Sequence, residues 1–403
     1  MRAASKSASG WFSSVVPRFR IQPALCLAVL LVQAGLGQKL GDTLPDWSPG
    51  VLDIHQIQTG RGNAAFLIFP DGTTLLIDAG AVANRPGPEI GPQRPNASRT
   101  PGEWIARYIQ RFNPTKGLDY ALITHYHDDH MGAIVEVGRL LPIRTLLDRG
   151  EIPAPVPGGL IDEYREFRKN LSGTVQRFQP GKADQIVARH DAKSYPDFEV
   201  RNVAANGEVW TGAGTTTTQV FPTGWRTLPK DEQPTENECS IALRIRYGRF
   251  DYFTGGDLPG IPLDDLPSWH DLETPVARAI GPVDVMVINH HGWLDTTNSF
   301  FLQTLQPRVV VIPAWHATHP DHGVLRRLLS TRVYHGPRDL FTTTLLDAPR
   351  VIFSYLGRPP FKSSEGHIVI RVAPGGRRYS VFVLDDRDES YRISAIAGPY
   401  DSQ

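Results

Sequence analysis

Residues 119–130 read DYALITHYHDDH, and the fold turns on them. Asp119–Thr124 is a short apolar run, which reads as a buried strand. It runs directly into His125-Tyr126-His127-Asp128-Asp129-His130, a His-x-His-x-Asp-His frame. In a loop leaving a strand, His125 and His127 can point the same way, as residues i and i+2 do. Asp129 and His130 follow one turn later and can face a neighbouring point. Imidazole suits zinc, iron and manganese, and a carboxylate adds hard-ligand character. Two sets of such ligands side by side are what a two-metal site needs.

Working outward, the same placement recurs. Gly255-Gly256-Asp257-Leu258 follows the strand-like DYFT, and His290-His291-Gly292 follows VDVMVIN. A lone Gly-Asp is usually a turn. Here it stands between two histidine motifs, each at a strand end, and loops at strand ends carry sites on rigid scaffolds. Asp257 is well placed to bridge two metals. Asp78 in Leu76-Ile77-Asp78-Ala79-Gly80 ends a strand in the same way; it reads either as a turn acid or as a carboxylate that orients a ligand histidine.

The remaining elements frame these motifs. Residues 51–58 alternate as a strand, and 64–69 with 73–78 flank Pro70-Asp71-Gly72 as a hairpin. The spacing predicts a long loop over 83–101, helices over 102–112 and 131–141, and a polar irregular segment over 151–195. Further on it predicts strands at 241–247, 250–254, 284–288 and 308–312, interleaved with helices near 273–280, 298–305 and 322–330. The tail reads as strands near 350–354, 367–372 and 379–384. Strands with interspersed helices predict a layered α/β domain.

Composition bounds the function. The 403 residues hold 42 Lys+Arg and 42 Asp+Glu, with 40% hydrophobic residues, a globular balance that argues against disorder. Two cysteines make neither a disulfide framework nor a structural zinc cluster. Arg2, Lys6, Arg18 and Arg20 precede an apolar run from Ala24 to Leu36, which predicts a signal peptide over 1–37. Retention of that run as an anchor is the lesser reading. The rest carries no stretch long and apolar enough for a stable membrane span. Removing the signal takes four basic residues and no acidic ones, leaving 38 basic against 42 acidic. That balance does not favour a long nucleic acid partner and fits a small-molecule substrate. The expected location is secreted or periplasmic. Oligomeric state is not legible.

The motif set resembles the metallo-β-lactamase superfamily from about residue 50 to 335. Within it, Asn237-Glu238-Cys239-Ser240, the Gly256-Asp257-Leu258 turn, His290-His291-Gly292 and His319-Pro320 resemble the late-competence (ComEC-type) hydrolase branch. This chain departs from that branch in lacking its multi-span channel, so the DNA-uptake role is not carried over, and Trp293 stands where a small residue is common. The resemblance implies a four-layer αββα sandwich. It implies a hydrolase domain over 38–335, with residues 336–403 as a β-rich C-terminal extension. It also implies two divalent metals, zinc first and manganese second. His125 and His127 would bind one metal, Asp129 and His130 the other. Asp257 would bridge, and a histidine of the His290-His291 pair would complete the second site, with His291 favoured. The resemblance further implies hydrolysis by metal-activated hydroxide on a phosphodiester, ester or lactone bond. Asp129, His290 and His319 are then the catalytic candidates. A third histidine for the first metal is missing from its usual place; His190 and Asn206 are candidates for that position. The alternative is a degenerate metal-binding or surface-binding protein that keeps the fold. His316 and His322, beside His319, read as a capped loop or as substrate contacts. His55, His270, His335 and His367 read as structural or solvated, and Arg326-Arg327 as a solvated pair.

Overall fold

A computed structural model describes residues 37–83, 88–150, 160–356 and 360–403. The signal predicted over 1–37 lies outside the described residues, Gly37 apart. The chain opens with the antiparallel strands β1 (Leu52–Gln56), β2 (Ala65–Ile68) and β3 (Thr74–Ile77). Then come α1 (Pro101–Phe112), β4 (Leu118–Ile123), α2 (Asp128–Met131), α3 (Ile134–Leu140), β5 (Ile143–Asp148), α4 (Leu160–Asn170) and β6 (Thr174–Arg177). The second half holds β7 (Phe198–Ala205), β8 (Glu208–Trp210), β9 (Thr217–Gln219), β10 (Ala242–Tyr247), β11 (Phe250–Thr254), α5 (Glu273–Ile280) and β12 (Val285–Val287). It continues through α6 (Ser299–Leu305), β13 (Val309–Ile312), α7 (His322–Leu329), β14 (Asp339–Thr342), α8 (Asp347–Ile352) and β15 (Phe361–Ser363). The chain closes on β16 (His367–Val372), β17 (Arg378–Leu384) and β18 (Ile393–Asp401).

These strands form two nine-stranded sheets. The first runs β18-β17-β16-β1-β2-β3-β4-β5-β6, the second β15-β14-β13-β12-β11-β10-β7-β8-β9. The C-terminal strands therefore belong to both sheets: β16 pairs antiparallel with β1, Leu52 opposite Val372, and β14 pairs parallel with β13. Three apolar cores set the layering. One lies between the sheets, with Leu67, Ile77 and Ile370 of the first sheet and Leu243, Val285 and Val309 of the second. Another packs Ile105, Ile109 and Ile134 of the helices on the outer face of the first sheet. The third packs Val276, Phe301 and Leu325 on the outer face of the second. Helix, sheet, sheet, helix is the αββα sandwich, and each central strand is buried on both faces, as parallel strands under helices are.

Some local expectations are corrected. The strand expected near 350–354 is helix α8 and a following 3-10 turn, Phe353–Leu356. Pro349 sits in the first turn of α8, where a missing N–H costs nothing. The β-branched Val351 and Ile352 are exposed instead of paired. The segment expected to be irregular over 151–195 contains α4 and β6. Helix α4 buries only Ile161 and Tyr164, so its charged face masked its period. The helix expected over 131–141 is α3, Ile134–Leu140, and a separate short helix, α2, takes Asp128–Met131 in the stretch expected to be loop. Arg327 is not simply solvated: its Nε donates to Thr297 O at 2.8 Å and its Nη2 to Thr296 O at 2.9 Å.

Candidate metal centre

The candidate residues gather where strands of both sheets end. β3 delivers Asp78, β4 delivers Thr124 and the His-x-His turn, β11 delivers Asp257, and β12 delivers His290 and His291. Close backbone approach makes this meeting feasible. A Cβ on Gly256 (φ 55°) would come within 3.0 Å of Thr124 Cβ and 3.1 Å of Ser240 Cβ. One on Gly80 would meet Asp129 O at 2.0 Å. Both positions need glycine for space, and Gly256 also for its left-handed conformation.

Two donor groups share one carboxylate. Asp129, His130, Asp257 and His291 each present a ligand atom within 4.8 Å of the others, and so do His125, His127 and Asp257. Asp257 Oδ1 lies 3.1 Å from His130 Nε2 and 3.6 Å from His291 Nε2. Its Oδ2 lies 3.6 Å from His125 Nε2. His291 Nε2 is 3.0 Å from Asp129 Oδ2 and 3.2 Å from His130 Nε2. His125 Nε2 is 3.1 Å from His127 Nδ1.

The outer nitrogens are committed elsewhere. His130 Nδ1 donates to Asp78 Oδ2 at 2.8 Å, and His291 Nδ1 to Pro313 O at 2.9 Å. In neutral histidines this leaves two Nε2 lone pairs facing each other, which requires a cation between them. Asp257 Oδ1 is buried without a hydrogen-bond donor, a second sign of the same need. The donor set therefore fits divalent metal ions. Without one, a proton meets the demand. Burial opposes charge on His130, but Asp257, Asp129 and Asp78 outweigh it and hold its pKa well above the usual range. Burial likewise opposes charge on Asp129, yet His130 and His291 pull its carboxyl far down. His125, by contrast, is kept neutral by burial and by His130.

Asp78 anchors this centre. It is fully buried, with φ 61°. Its Oδ2 accepts from His130 Nδ1, from Asn63 Nδ2 at 2.9 Å and from Thr124 Oγ1 at 2.9 Å. Its Oδ1 accepts from Thr124 N at 2.8 Å.

His290 stands apart from the two donor groups. Its Nε2 lies 3.7 Å from Asp257 Oδ2, on the His125 side, and 3.3 Å from Asn237 Nδ2. Its Nδ1 meets Asp295 Oδ1 at 2.9 Å. Burial opposes its charge, but Asp257 and Asp295 push its pKa up to about 9. His319 stacks on His291, with ring centroids 4.9 Å apart, and also touches Trp315. Burial and the neighbouring histidines hold it neutral. His316 meets Thr318, and His322 meets Tyr355.

Neither extra candidate for the first metal joins the cluster. His190 Nε2 pairs with Asp119 Oδ2 at 3.1 Å, at the opposite end of β4. Asn206 Nδ2 donates to Arg149 O at 2.8 Å. Of the histidines outside the motifs, His55 meets Tyr108 in a buried aromatic group with His367 and Tyr391, and His270 pairs with Glu238.

Sequence reasoning missed several residues that shape the loops. Glu236 Oε1 accepts from Tyr126 N at 2.7 Å, between the two histidines of the first turn, and from Arg149 Nε at 2.7 Å. The Arg149 guanidinium lies 4.3 Å from the Tyr126 ring centroid. Glu273 ties down the His290-His291 loop. These acids sit at irregular spacings, so no periodicity marks them. The short interval between His290 and Asp295 was the one available signal.

Residues 59–217 match the family model described as the metallo-beta-lactamase superfamily. ComE operon protein 3 of Bacillus subtilis is 22% identical over 284 residues, 68% of this chain and 30% of that protein. A UPF0173 metal-dependent hydrolase of Methanopyrus kandleri is 28% identical over 142 residues, 35% of this chain and 50% of that protein. The chain thus spans half or less of the length of these curated relatives. Among solved structures, CmlA, a diiron β-hydroxylase from Streptomyces venezuelae, covers 75% of this chain and 54% of its own, at 16% identity and TM-score 0.42. No helix among the described residues is long and apolar enough to cross a membrane. With the sandwich and the strand-end donor cluster beside the match, the chain carries a metallo-β-lactamase superfamily domain.

Proposed function

We propose that this protein is a metal-dependent hydrolase that works with two divalent ions, zinc or manganese, on a phosphodiester, ester or lactone bond. The observation that carries the reading is the sharing of Asp257 between two donor groups, one on each carboxylate oxygen. His125 and His127 would hold one ion, Asp129, His130 and His291 the other, and Asp257 both. Such ions supply an acidified water and polarise the bond under attack.

The protein's own groups do the rest. Asp129, partly open to solvent, is placed to orient the attacking water and take its proton. Asp295 accepts from His290 Nδ1 and fixes the ring, and in the imidazolium form, which Asp257 and Asp295 favour, His290 can pass its Nε2 proton to the leaving group. His319 and Trp315 wall the side beyond His291. We further read residues 38–403 as an exported unit, with 336–403 as its β-rich extension. Its mild acidity supports a small substrate over a long nucleic acid.

The test is a screen of bis(p-nitrophenyl) phosphate, a lactone panel and nitrocefin, each with zinc, manganese or chelator. Metal-dependent turnover that is lost in His127→Ala and Asp257→Ala is expected. Turnover unchanged in both variants rejects the site, and a metal-loaded but inert protein favours a binding role.

A further inference from the structure

The loop Asn289–Asn298 carries His290, His291 and Asp295, and its backbone is strained. His290 (φ 47°), His291 (φ 55°) and Thr297 (φ 60°) all lie in the left-handed region. Residues with a Cβ hold that conformation only where the surroundings enforce it. The loop is held at several points, His290 N donating to Gly256 O at 3.0 Å and Arg327 Nε to Thr297 O at 2.8 Å, and its two ends are joined by Glu273, the first residue of α5, which is fully buried. Its Oε1 accepts from Asn289 Nδ2 at 2.9 Å and from Thr297 N at 2.8 Å. Its Oε2 accepts from Asn298 N at 2.8 Å. One carboxylate thus ties the start of the loop to its end.

The surroundings are shaped to keep it there. A Cβ on Gly260 would stand 1.9 Å from Glu273 Oε2, so that position leaves room for the carboxylate alone. Burying a carboxyl to join a loop is costly where apolar packing would serve stability as well. Burial pushes its pKa up to about 8. As anion or acid it still has acceptor positions for all three donors.

We propose that Glu273 is a positioning residue for the second metal position: by joining Asn289 to Thr297 and Asn298 it holds the left-handed His290-His291 turn, and so aims His291 Nε2 at Asp129, His130 and Asp257. This rests on the reading of His291 as a ligand. Glutamine at 273 keeps the size but not the function. With its oxygen in the Oε1 place, its amide N–H meets Asn298 N–H, donor against donor. Reversed, it confronts two donors.

The experiment is zinc binding to the full chain by competition with a chromophoric chelator. Wild type should show two affinities. In Glu273→Gln, one should weaken about 10–100-fold and the other should stay within about twofold, as for loss of a group that orients a ligand. Asn289→Ala, which leaves Glu273 in place but cuts the tie at one end, should show the same selective loss, and it carries the test if Glu273→Gln does not fold by circular dichroism. Two unchanged affinities, or an equal fall in both, overturn the proposal while the metal centre stands. A wild-type chain that binds no zinc overturns the metal centre itself and the proposal with it.

Discussion

Asp78→Asn is the sharpest perturbation of the centre that leaves its shape intact. Asparagine matches the volume and tolerates φ 61°, so the backbone need not move. The chemistry is what changes. Asp78 accepts four hydrogen bonds, three on Oδ2 and one on Oδ1. With the amide nitrogen in the Oδ1 place, Thr124 N loses its acceptor. With the nitrogen in the Oδ2 place, His130, Asn63 and Thr124 Oγ1 lose theirs. The first arrangement is the cheaper, and one buried donor left unpaired costs about 1–3 kcal/mol. Unfolding of the metal-free variant in urea should show that loss. His130 also loses the negative charge behind its ring. Metal affinity should fall about 10–100-fold, or about 1.4–2.7 kcal/mol, the usual cost of removing a partner that orients a ligand. Competition against a chelator at fixed pH measures it. An Asp78→Asn chain that binds metal within about twofold of wild type would refute the role assigned to this carboxylate.

Three further outcomes are expected. Arg149→Met strands the buried Glu236 carboxylate, so urea unfolding should show a loss of about 3–5 kcal/mol, and part of it should return when Glu236→Gln is added. Burial raises the Asp386 pKa to about 6 from 3.8, with Arg94 opposing only in part. A raised carboxyl contributes its full share of stability below about pH 3.8 and loses it as pH rises through about 6. Asp386→Asn should therefore be more stable than wild type at pH 7.5, by up to about 3 kcal/mol, and equal to it at pH 3.5; thermal unfolding at both values decides. His290→Ala should lower kcat about 10²–10⁴-fold while metal content stays at the wild-type level, because its ring lies outside both donor groups; loss of metal in step with kcat would make it a ligand.

The sandwich was legible because its central strands are apolar runs that end in motifs. ALIT before His125 and VMVI before Asn289 mark both the strand and the site, since a parallel strand buried on both faces has little freedom of composition. Elements with weak burial were illegible. Helix α4 buries two side chains, and α8 exposes Val351 and Ile352, so neither shows a clear period. The metal-binding candidates were visible as short motifs, each directly after an apolar strand: His125–His130, Asp257 and His290-His291. The residues that position them were not. Glu236 meets Tyr126 across 110 positions and Glu273 meets Asn289 across 16, whereas Asn237, marked by its motif, meets His290 across 53. Such pairs arise where separate strand ends converge, and only the fold brings them together. Asp78 is intermediate: its strand-end position suggested an orienting acid, and the structure supplies the partner, His130.

The most direct measurement is metal content. Purified chain exposed to zinc or manganese and then freed of excess ion should retain about two ions per chain, and Asp257→Ala, which removes the shared carboxylate, should retain close to none. Wild type holding less than about 0.2 ion per chain would contradict the account.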